Sequence, residues 1–374
     1  MTAFPRHAQA LAALADRGRL RRLAPRLGHD FASNDYLGLA GSDVLRGSAR
    51  AALDRGVAVG AGGSRLLRGN DVEHEALETL AARHFGVERA LFMGGGFAAN
   101  QAIFASLPMP EDLVLYDALI HASAHDGMRL GRAETVFFAH NDATDAATQI
   151  AAWRANGGKG RVWLAIESLY SMGGDFAPLV DFATLASDHE AVLVVDEAHA
   201  TGLYGATGRG LTEGLAQGGN LLTLHTCGKA LGVSGALICG AAELIDTLIN
   251  KARGFIYATA PSPLNAALVA AALADCDANP QRRHAAIGLI DHAHNQAAQH
   301  GFAGFQSQIM PVLLGSDARV MQVAAAMQSR SYDIRGIRPP TVPRGTARLR
   351  ISITLNTSAE VISQMFADLA EVAA

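Results

Sequence analysis

Short apolar runs alternate with alanine-rich stretches through much of the chain, and this alternation restricts the possible folds more than any other sequence feature. Each run has the length and composition of a buried strand, and most of the intervening stretches have helical character. The runs are Ala90–Met93, Leu113–Tyr116, Thr135–Phe138, Val162–Ile166, Ala191–Val195 and Leu221–Leu224. Strands and helices in this order build βαβ units, so the sequence predicts an α/β fold with a mostly parallel central sheet.

The pattern changes after the last of these runs, where a smaller α+β domain is expected. Its predicted elements are two long alanine-rich helices from about Asn265, a strand at Met310–Leu314, a helix through Met321–Met327 and a strand near Arg348–Thr354. Pro261 and Pro263 mark the junction. We therefore predict an N-terminal segment at 1–45, a large domain at 46–264, and a small C-terminal domain at 265–374 that includes the N-terminal segment.

Charge and cysteine content argue against several classes of function. The formal net charge is −4, with acids and bases mixed along the chain, whereas nucleic-acid binding needs a concentrated positive surface. Cys227, Cys239 and Cys276 form no CxxC pair, so neither a disulfide framework nor a metal site is expected. A membrane span needs about 18–20 apolar residues, and no apolar run is that long. The N-terminus lacks the compact apolar stretch that is typical of a secretory signal. The cytoplasm is the expected location.

The stretch from Arg6 to Arg26 is rich in alanine, leucine and arginine, as organelle-targeting peptides are. Asp16 and the absence of serine argue against targeting. We therefore predict an amphipathic first helix with a basic end in this stretch.

Polar side chains follow most of the apolar runs. In open α/β sheets ligands bind beyond the carboxyl ends of the strands, so these residues are the first candidates for a functional site. In chain order they are Gly94, Gly95, Gly96 and Phe97, then Asp117 and His121, then Glu167 and Ser171, then Asp196 and His199, and finally Thr226 and Lys229. Acid, base and nucleophile groups are thus expected on one rim.

The glycine triplet is predicted to open a helix near Phe97. Such a start offers unpaired backbone N–H groups and a positive dipole end to a phosphate. Two other interpretations stay open for the triplet by itself. One is a plain tight turn, and the other is a dinucleotide fingerprint formed by Gly94, Gly96 and Ala99, with Asp117 as the ribose-binding acid.

Asp196 and His199 close a predicted strand with the sequence Asp-Glu-Ala-His. A carboxylate against a pyridinium nitrogen keeps that ring protonated, and the protonated ring withdraws electrons from an attached carbanion. A helix N-cap aspartate and a core histidine would explain the same residues without a catalytic role.

Lys229 lies among Gly228, Ala230, Gly232 and Gly235, small residues that leave room for a ring. A lysine withdrawn from water has a lowered pKa and becomes the neutral amine that an imine requires. A Walker phosphate loop is excluded because Ala230 follows the lysine where Ser or Thr is needed. A solvated surface lysine is the plain alternative.

Together these features describe a fold-type I pyridoxal-phosphate enzyme: a phosphate cradle, a ring-nitrogen aspartate and an imine lysine, each after a strand. A nicotinamide-dependent dehydrogenase built on the glycine turn would leave Lys229, Asp196 and His199 without a shared task. A catalytically silent binding protein on the same fold is disfavoured by the intact Lys229 and Arg350.

At these residues the chain resembles the α-oxoamine synthases over nearly its whole length. The segments that carry the resemblance are Ser33–Leu39, Gly62–Arg65, Gly96–Asn100, Asp196–His199, Thr226–Ala236 and Thr341–Pro343 leading to Arg348–Arg350. The stretch after Lys229 is more similar to the alanine-using members than to the glycine-using members. Ala200 and Cys227 depart from the family pattern, which bears on acyl-chain preference more than on the reaction type.

The resemblance implies a site for pyridoxal 5'-phosphate in the large domain. Lys229 would hold the cofactor as an imine, Asp196 would face its pyridine nitrogen, and His121 would stack on its ring. The other implied cofactor contacts are His199 and Ser171 at the phenolic oxygen, Gly96, Phe97 and Thr226 near the handle and phosphate, and Thr259 at the phosphate of a partner subunit. A homodimer with shared active sites is implied.

Substrate contacts are implied as well. Arg350 matches the arginine that binds the amino-acid carboxylate, a task that suits a planar bidentate donor. Thr341, Asn34 and His121 match substrate-side positions. Arg21 matches a substrate-binding arginine only loosely, so Arg22 is an alternative.

The implied reaction condenses L-alanine with a pimeloyl thioester, carried on CoA or on a carrier protein. It gives 8-amino-7-oxononanoate, carbon dioxide and a free thiol, as a step of biotin synthesis. Lys229 would remove the α-proton, Asp196 would stabilise the electron-rich cofactor, and His121 and His199 would complete the catalytic set. The alternative within the family is a glycine-using enzyme of the 2-amino-3-ketobutyrate CoA ligase or 5-aminolevulinate synthase type.

Overall fold

The computed structural model describes residues 3–23, 25–215 and 219–374, which divide into two compact units. The large unit is Asn34–Gly288, and the small unit combines Met1–Ser33 with Leu289–Ala374. These bounds differ from the predicted boundaries at 45/46 and 264/265. The helix that starts at Pro263 packs against two helices of the large unit, so contacts keep it there although the composition changes before it.

The described residues form twelve strands and thirteen helices. The strands are β1 His29–Asp30, β2 Arg89–Met93, β3 Leu113–Asp117, β4 Glu134–Phe138, β5 Val162–Glu167, β6 Val192–Asp196, β7 Leu221–Thr226, β8 Ala236–Gly240, β9 Ile309–Gly315, β10 Tyr332–Asp333, β11 Arg335–Ile337 and β12 Ala347–Ser352. The helices are α1 Pro5–Asp16, α2 Asp43–Asp54, α3 Val72–Phe85, α4 Gly96–Ser106, α5 Ala122–Leu130, α6 Ala143–Ala155, α7 Leu179–Asp188, α8 Ala242–Lys251, α9 Arg253–Ile256, α10 Pro263–Ala278, α11 Pro280–Gln299, α12 Asp317–Ser329 and α13 Ala359–Ala373.

A seven-stranded sheet forms the centre of the large unit, in the order β2-β8-β7-β6-β5-β3-β4. The four neighbouring pairs from β7 to β4 are parallel, and β8 is antiparallel to both β7 and β2. Six strands therefore run in one direction and end at one edge. The predicted α/β class with a mostly parallel sheet is confirmed.

Successive side chains of a central strand face two different hydrophobic cores, which explains why these strands are so apolar. Val192 and Val194 of β6 face one hydrophobic core, which contains residues of α4, α5 and α8. Leu193 and Val195 face a second core, which contains residues of α6 and α7. A strand covered on both faces must be apolar at every position, which is why the six runs were visible as continuous stretches.

The small unit contains the antiparallel sheet β11-β12-β9 and the parallel pair β1-β10. Helices α12 and α13 pack against each other, and α12 also contacts each strand of the three-stranded sheet. The predicted strand, helix and strand near Met310, Met321 and Arg348 correspond to β9, α12 and β12.

Two further features differ from the sequence predictions. Strand β8 was not predicted, because it is short and lies after the glycine-rich segment that follows Lys229. The first helix ends at Asp16 rather than near Arg26, since Gly18 adopts a positive φ of 63° and the basic residues after it are outside the helix. Among the described helices, none has the length and apolar character needed to span a membrane.

Candidate active site

The carboxyl edge of the central sheet brings the predicted site residues of the large unit together. Asp196 ends β6, Thr226 ends β7, and Lys229 follows in the next turn. The glycine turn after β2 reaches the same edge, because β2 is antiparallel to β8 and therefore runs in the direction of β7. This shared direction explains how residues more than a hundred positions apart meet.

Lys229 is the first member of a chain of hydrogen bonds at this edge. Its Nζ lies 2.8 Å from His199 Nε2, and His199 Nδ1 lies 2.6 Å from the Tyr36 hydroxyl. The Tyr36 hydroxyl donates to Asn34 Oδ1 at 3.0 Å. In the arrangement in which the Tyr36 hydroxyl donates to Asn34, His199 carries its proton on Nδ1, and its Nε2 accepts from the lysine amine. Tyr36 is 1% exposed and His199 4% exposed, so this orientation is held inside the protein.

A second chain of hydrogen bonds fixes Asp196. Its Oδ1 accepts from the Ala198 backbone N–H at 2.9 Å, and its Oδ2 accepts from Asn100 Nδ2 at 2.8 Å. The same Asn100 amide donates to Ser123 Oγ at 3.0 Å, and Ser123 Oγ lies 2.7 Å from His121 Nδ1. The Ser123 backbone N–H also donates to His121 Nδ1, so this ring nitrogen is an acceptor and the proton lies on Nε2.

The surroundings of His121 favour its neutral form. Burial is the main cause that lowers the pKa of His121; the negative charge of Asp196 opposes it, and the positive charge of Lys229 adds to it. Phe97 packs edge-to-face on His121, with the ring centroids 6.5 Å apart. A neutral imidazole presents a flat aromatic surface, which suits stacking on another ring.

The start of α4 is built to approach a ligand closely. A Cβ at Gly96 would lie 3.3 Å from the Thr226 Oγ1, whereas a Cβ at Gly94, Gly95 or Gly228 would meet open space. Helix α4 offers its first backbone N–H groups next to this space, and the glycines leave those groups uncovered. The open space lined by Gly96 and Thr226 therefore has the chemistry of a site that fits a phosphate group.

The predicted substrate residues of the small unit form a group of their own. The Arg21 guanidinium lies 3.5 Å from the Thr341 hydroxyl, which brings these two predicted residues together. Arg350 is buried on β12 and donates to Ser352 Oγ at 2.8 Å. Two predictions in the large unit remain: the Ser171 backbone N–H donates to Glu167 Oε2 at 3.2 Å, and Thr259 is exposed beyond α9.

Several residues with a part in this geometry were not singled out from the sequence. Tyr36 lies within the Ser33–Leu39 segment and Asn100 within Gly96–Asn100, but neither received a role. Ser123 lies two residues after His121. All three are polar residues near a predicted site residue or within a segment that carries the resemblance. Their hydrogen-bond partners could not be predicted from the sequence, because partners such as Tyr36 and His199 are 163 positions apart.

The dinucleotide interpretation of the glycine turn does not fit the structure. In that fold the glycine-bearing strand is central and the acidic residue ends its neighbour, whereas β2 is an edge strand separated from β3 by four others. Asp117 is fully buried and already accepts hydrogen bonds from His140, the Asn141 N–H and the Leu119 N–H. Over the described ranges, no group of three His, Cys, Asp or Glu side chains is placed to hold a metal ion.

Comparisons with known proteins agree with this geometry. Residues 28–365 match the family described as aminotransferase class I and II. The chain is 40% identical over 346 residues to a curated 8-amino-7-oxononanoate synthase of Anaeromyxobacter dehalogenans, covering 92% of this chain and 86% of that protein.

Solved structures are also similar to this chain over nearly its full length. The 8-amino-7-oxononanoate synthase of Francisella tularensis has a TM-score of 0.75 at 25% identity and covers 92% of this chain and 97% of its own. The Sphingomonas wittichii serine palmitoyltransferase has a TM-score of 0.89 at 25% identity and covers 100% and 98%. The matched family, the curated relative and the site geometry lead to one conclusion: the chain is a fold-type I enzyme of the class I and II aminotransferases and belongs to their 8-amino-7-oxononanoate synthase family.

Proposed function

We propose that this protein condenses L-alanine with a pimeloyl thioester, on CoA or on a carrier protein, and releases 8-amino-7-oxononanoate, carbon dioxide and free thiol in biotin synthesis. The observation that carries the proposal is the position of the Lys229 amine, 2.8 Å from His199 at the rim where Asp196 also lies. The curated relative at 40% identity, which is an 8-amino-7-oxononanoate synthase, supports the choice of reaction.

Pyridoxal 5'-phosphate is the proposed cofactor. Lys229 would hold it covalently, Asp196 would pair with its ring nitrogen, and His121 would stack on its ring. Ser171 and His199 would bond its phenolic oxygen, with Gly96, Phe97 and Thr226 near the phosphate. When bound, the cofactor supplies an electron sink for the negative charge that develops at the amino-acid α-carbon.

The residues of this chain then have distinct tasks. As a neutral amine, Lys229 would take the α-proton of the amino acid. The His199 tautomer with its proton on Nδ1 would support this task of Lys229, because its Nε2 would then accept from the amine and leave the lysine lone pair free. Asn100 donates to the Asp196 carboxylate, which would pair with the ring nitrogen of the cofactor and keep it protonated.

Four residues are proposed to contact the substrate. Arg350 would pair with the carboxylate of alanine, since a buried guanidinium offers two parallel N–H donors. Asn34, Thr341 and Arg21 would contact the substrate, and Arg22 remains the alternative to Arg21.

A homodimer with shared active sites is proposed as the working assembly, with Thr259 bonding the phosphate of the cofactor in the partner subunit. The exposure of Thr259 in the single chain is consistent with that role. The cytoplasmic location expected from the sequence also stays a proposal. It agrees with the free thiols of Cys227 and Cys239, whose pKa values are raised by burial and which are therefore unreactive.

The proposal is tested by measuring thiol release from pimeloyl-CoA, acetyl-CoA and succinyl-CoA in turn, each with L-alanine and with glycine. We expect the pairing of L-alanine with pimeloyl-CoA to be the fastest. Lys229→Ala is the control and should remove all turnover. Activity with glycine but not with alanine would contradict the proposal and favour the glycine-using alternative.

A further inference from the structure

Two acidic side chains leave the sheet side by side at the site. Glu167 ends β5 and Asp196 ends β6, and the two residues are register partners across this parallel pair. Partners in register point to the same face of a sheet. Both are buried, with Glu167 3% exposed and Asp196 9% exposed. Two ionised carboxylates on neighbouring strands, both buried from water, would repel each other strongly.

Their surroundings differ in the number of donors. Each oxygen of Asp196 accepts a hydrogen bond, from Ala198 and from Asn100. Glu167 Oε2 accepts one, from the Ser171 backbone N–H at 3.2 Å, while its Oε1 is enclosed without any hydrogen-bond partner. Burying an ionised oxygen without a donor is far more costly than burying a neutral carboxyl group.

On balance, burial and the nearby charges favour the neutral form of Glu167. Burial is the main cause that raises the pKa of Glu167 well above its ordinary value, and the negative charges of Asp196 and Asp117 raise it further. The positive charge of Lys229 and the Ser171 N–H act against this rise.

We propose that Glu167 is a positioning residue that works as a neutral acid, holding the Ser171 backbone and leaving Asp196 as the negative charge for the cofactor ring. The proposal rests on the cofactor site proposed above. Glu167 does not need to contact the cofactor, because it would act through Ser171 and Asp196, which are the proposed cofactor contacts.

The segment after β5 shows how Glu167 could act through Ser171. Leu169 and Phe176 pair in an isolated antiparallel bridge, and the Gly174 N–H donates to the Tyr170 carbonyl at 2.9 Å. Ser171 is therefore the first residue of a narrow turn. The hydrogen bond to Glu167 ties the start of this turn to the end of β5.

The proposal is tested by comparing Glu167→Gln, Glu167→Ala and the wild type. An amide has the shape and charge of the neutral acid, and its oxygen can accept from the Ser171 N–H. Glu197→Gln is the matched control. Glu197 is also buried, but it accepts from Ser168 Oγ, the Leu211 N–H and the Thr212 N–H. In Glu197→Gln the side-chain NH2 group would face one of these donors instead of accepting from it. This control should therefore unfold at a clearly lower temperature than Glu167→Gln.

The first readout needs no cofactor. The infrared difference spectrum of wild-type apoprotein minus Glu167→Gln should contain the carbonyl band of a protonated carboxyl group at neutral pH. Carboxylate bands in its place would overturn the proposal.

The second readout is the pH midpoint of the visible absorbance of the bound cofactor, with kcat measured beside it. Glu167→Gln should leave this midpoint unchanged and keep kcat within about threefold, whereas Glu167→Ala should lose on the order of 10–100-fold in kcat by freeing Ser171. If Glu167 were ionised, its replacement by Gln would lower the midpoint by about one unit or more, which would refute the proposal.

The two proposals fail in different ways. A cofactor attached to Lys229 together with a shifted midpoint in Glu167→Gln would refute the role of Glu167 and leave the cofactor assignment intact. Absence of any attached cofactor would refute the proposed function, and the infrared readout on the apoprotein would still decide the state of Glu167.

Discussion

At the scale of single residues, hydrogen-bond direction determines which atoms of the site can accept a proton. With the Tyr36 hydroxyl donating to Asn34, the His199 tautomer protonated on Nδ1 donates to Tyr36 and presents an acceptor to Lys229. Because Asn34 and Tyr36 are linked to Lys229 through His199, we expect substitutions at Asn34 or Tyr36 to alter the chemistry of the lysine.

Tyr36→Phe tests this chain of hydrogen bonds. The His199 Nδ1–H would lose its buried acceptor at a cost of about 1–3 kcal/mol, so we expect kcat to fall by about tenfold while the cofactor stays attached. Steady-state kinetics and the absorbance spectrum measure the two effects. The control is Tyr332→Phe, which removes a hydroxyl bonded to Asp368 in the small unit and should leave kcat unchanged. Equal kcat values for both variants would contradict the relay.

At the scale of elements, the carboxyl ends of β3 and β4 are tied to the turn after β5 by one imidazole. His140 Nδ1 lies 2.9 Å from Asp117, and its Nε2 lies 2.7 Å from Asp175. Burial disfavours the charged ring, but the hydrogen bonds to Asp117 and Asp175 outweigh burial and raise the pKa of His140 to about 9. The imidazolium therefore persists at neutral pH.

The stability that His140 contributes should depend on pH in one direction. Because its pKa is raised from 6.5 to about 9 on folding, this stabilisation is complete below pH 6.5 and is lost as the pH rises through 9. Over that interval the free energy of unfolding should fall by on the order of 2 kcal/mol more in the wild type than in His140→Gln, after allowance for partial exposure. Urea unfolding across this range measures it, and parallel curves for the two proteins would contradict the assignment.

The start of α4 gives a second prediction at this scale. A methyl group at Gly96 would press on Thr226, so Gly96→Ala should weaken cofactor binding by about tenfold, or about 1.4 kcal/mol. Titration of apoprotein with pyridoxal phosphate measures the dissociation constant. Gly47→Ala is the matched control, because Gly47 lies in α2 with open space around its missing side chain. Unchanged affinity in Gly96→Ala would show that the phosphate does not bind here.

The sequence predicted the strands of the rim because buried parallel strands are apolar throughout, and the residues after them are then fixed in space. Asp196 and Lys229 were found in this way. Strand β8 was not, since it is antiparallel and a glycine-rich segment precedes it. Tyr36 and Glu167 received no role because their effects depend on a distant partner or a register neighbour.

At the scale of the whole molecule, the two units are proposed to divide the work. The large unit contains the lysine and the cradle, and the small unit contains Arg350 and the Arg21–Thr341 contact. Cofactor attachment and amino-acid binding should therefore be separable by mutation.

Arg350→Lys is the variant that separates them. A lysine offers no bidentate fork, so the KM for L-alanine should rise by about 10–100-fold while the cofactor remains attached. Kinetics over a range of alanine concentrations, with the absorbance spectrum as a check, measures both. The control is Arg335→Lys, a surface position of the same unit paired with Asp333, where KM should not change. Loss of cofactor attachment in Arg350→Lys would contradict the division.

The most direct test of the account is to locate the covalent bond to the cofactor. Holoprotein is reduced with borohydride, digested and analysed by mass spectrometry, with Lys229→Ala treated in parallel. The account predicts the pyridoxyl phosphate group on the peptide that contains Lys229, and none in the variant. A group on another lysine, or no modified peptide in the wild type, would contradict it.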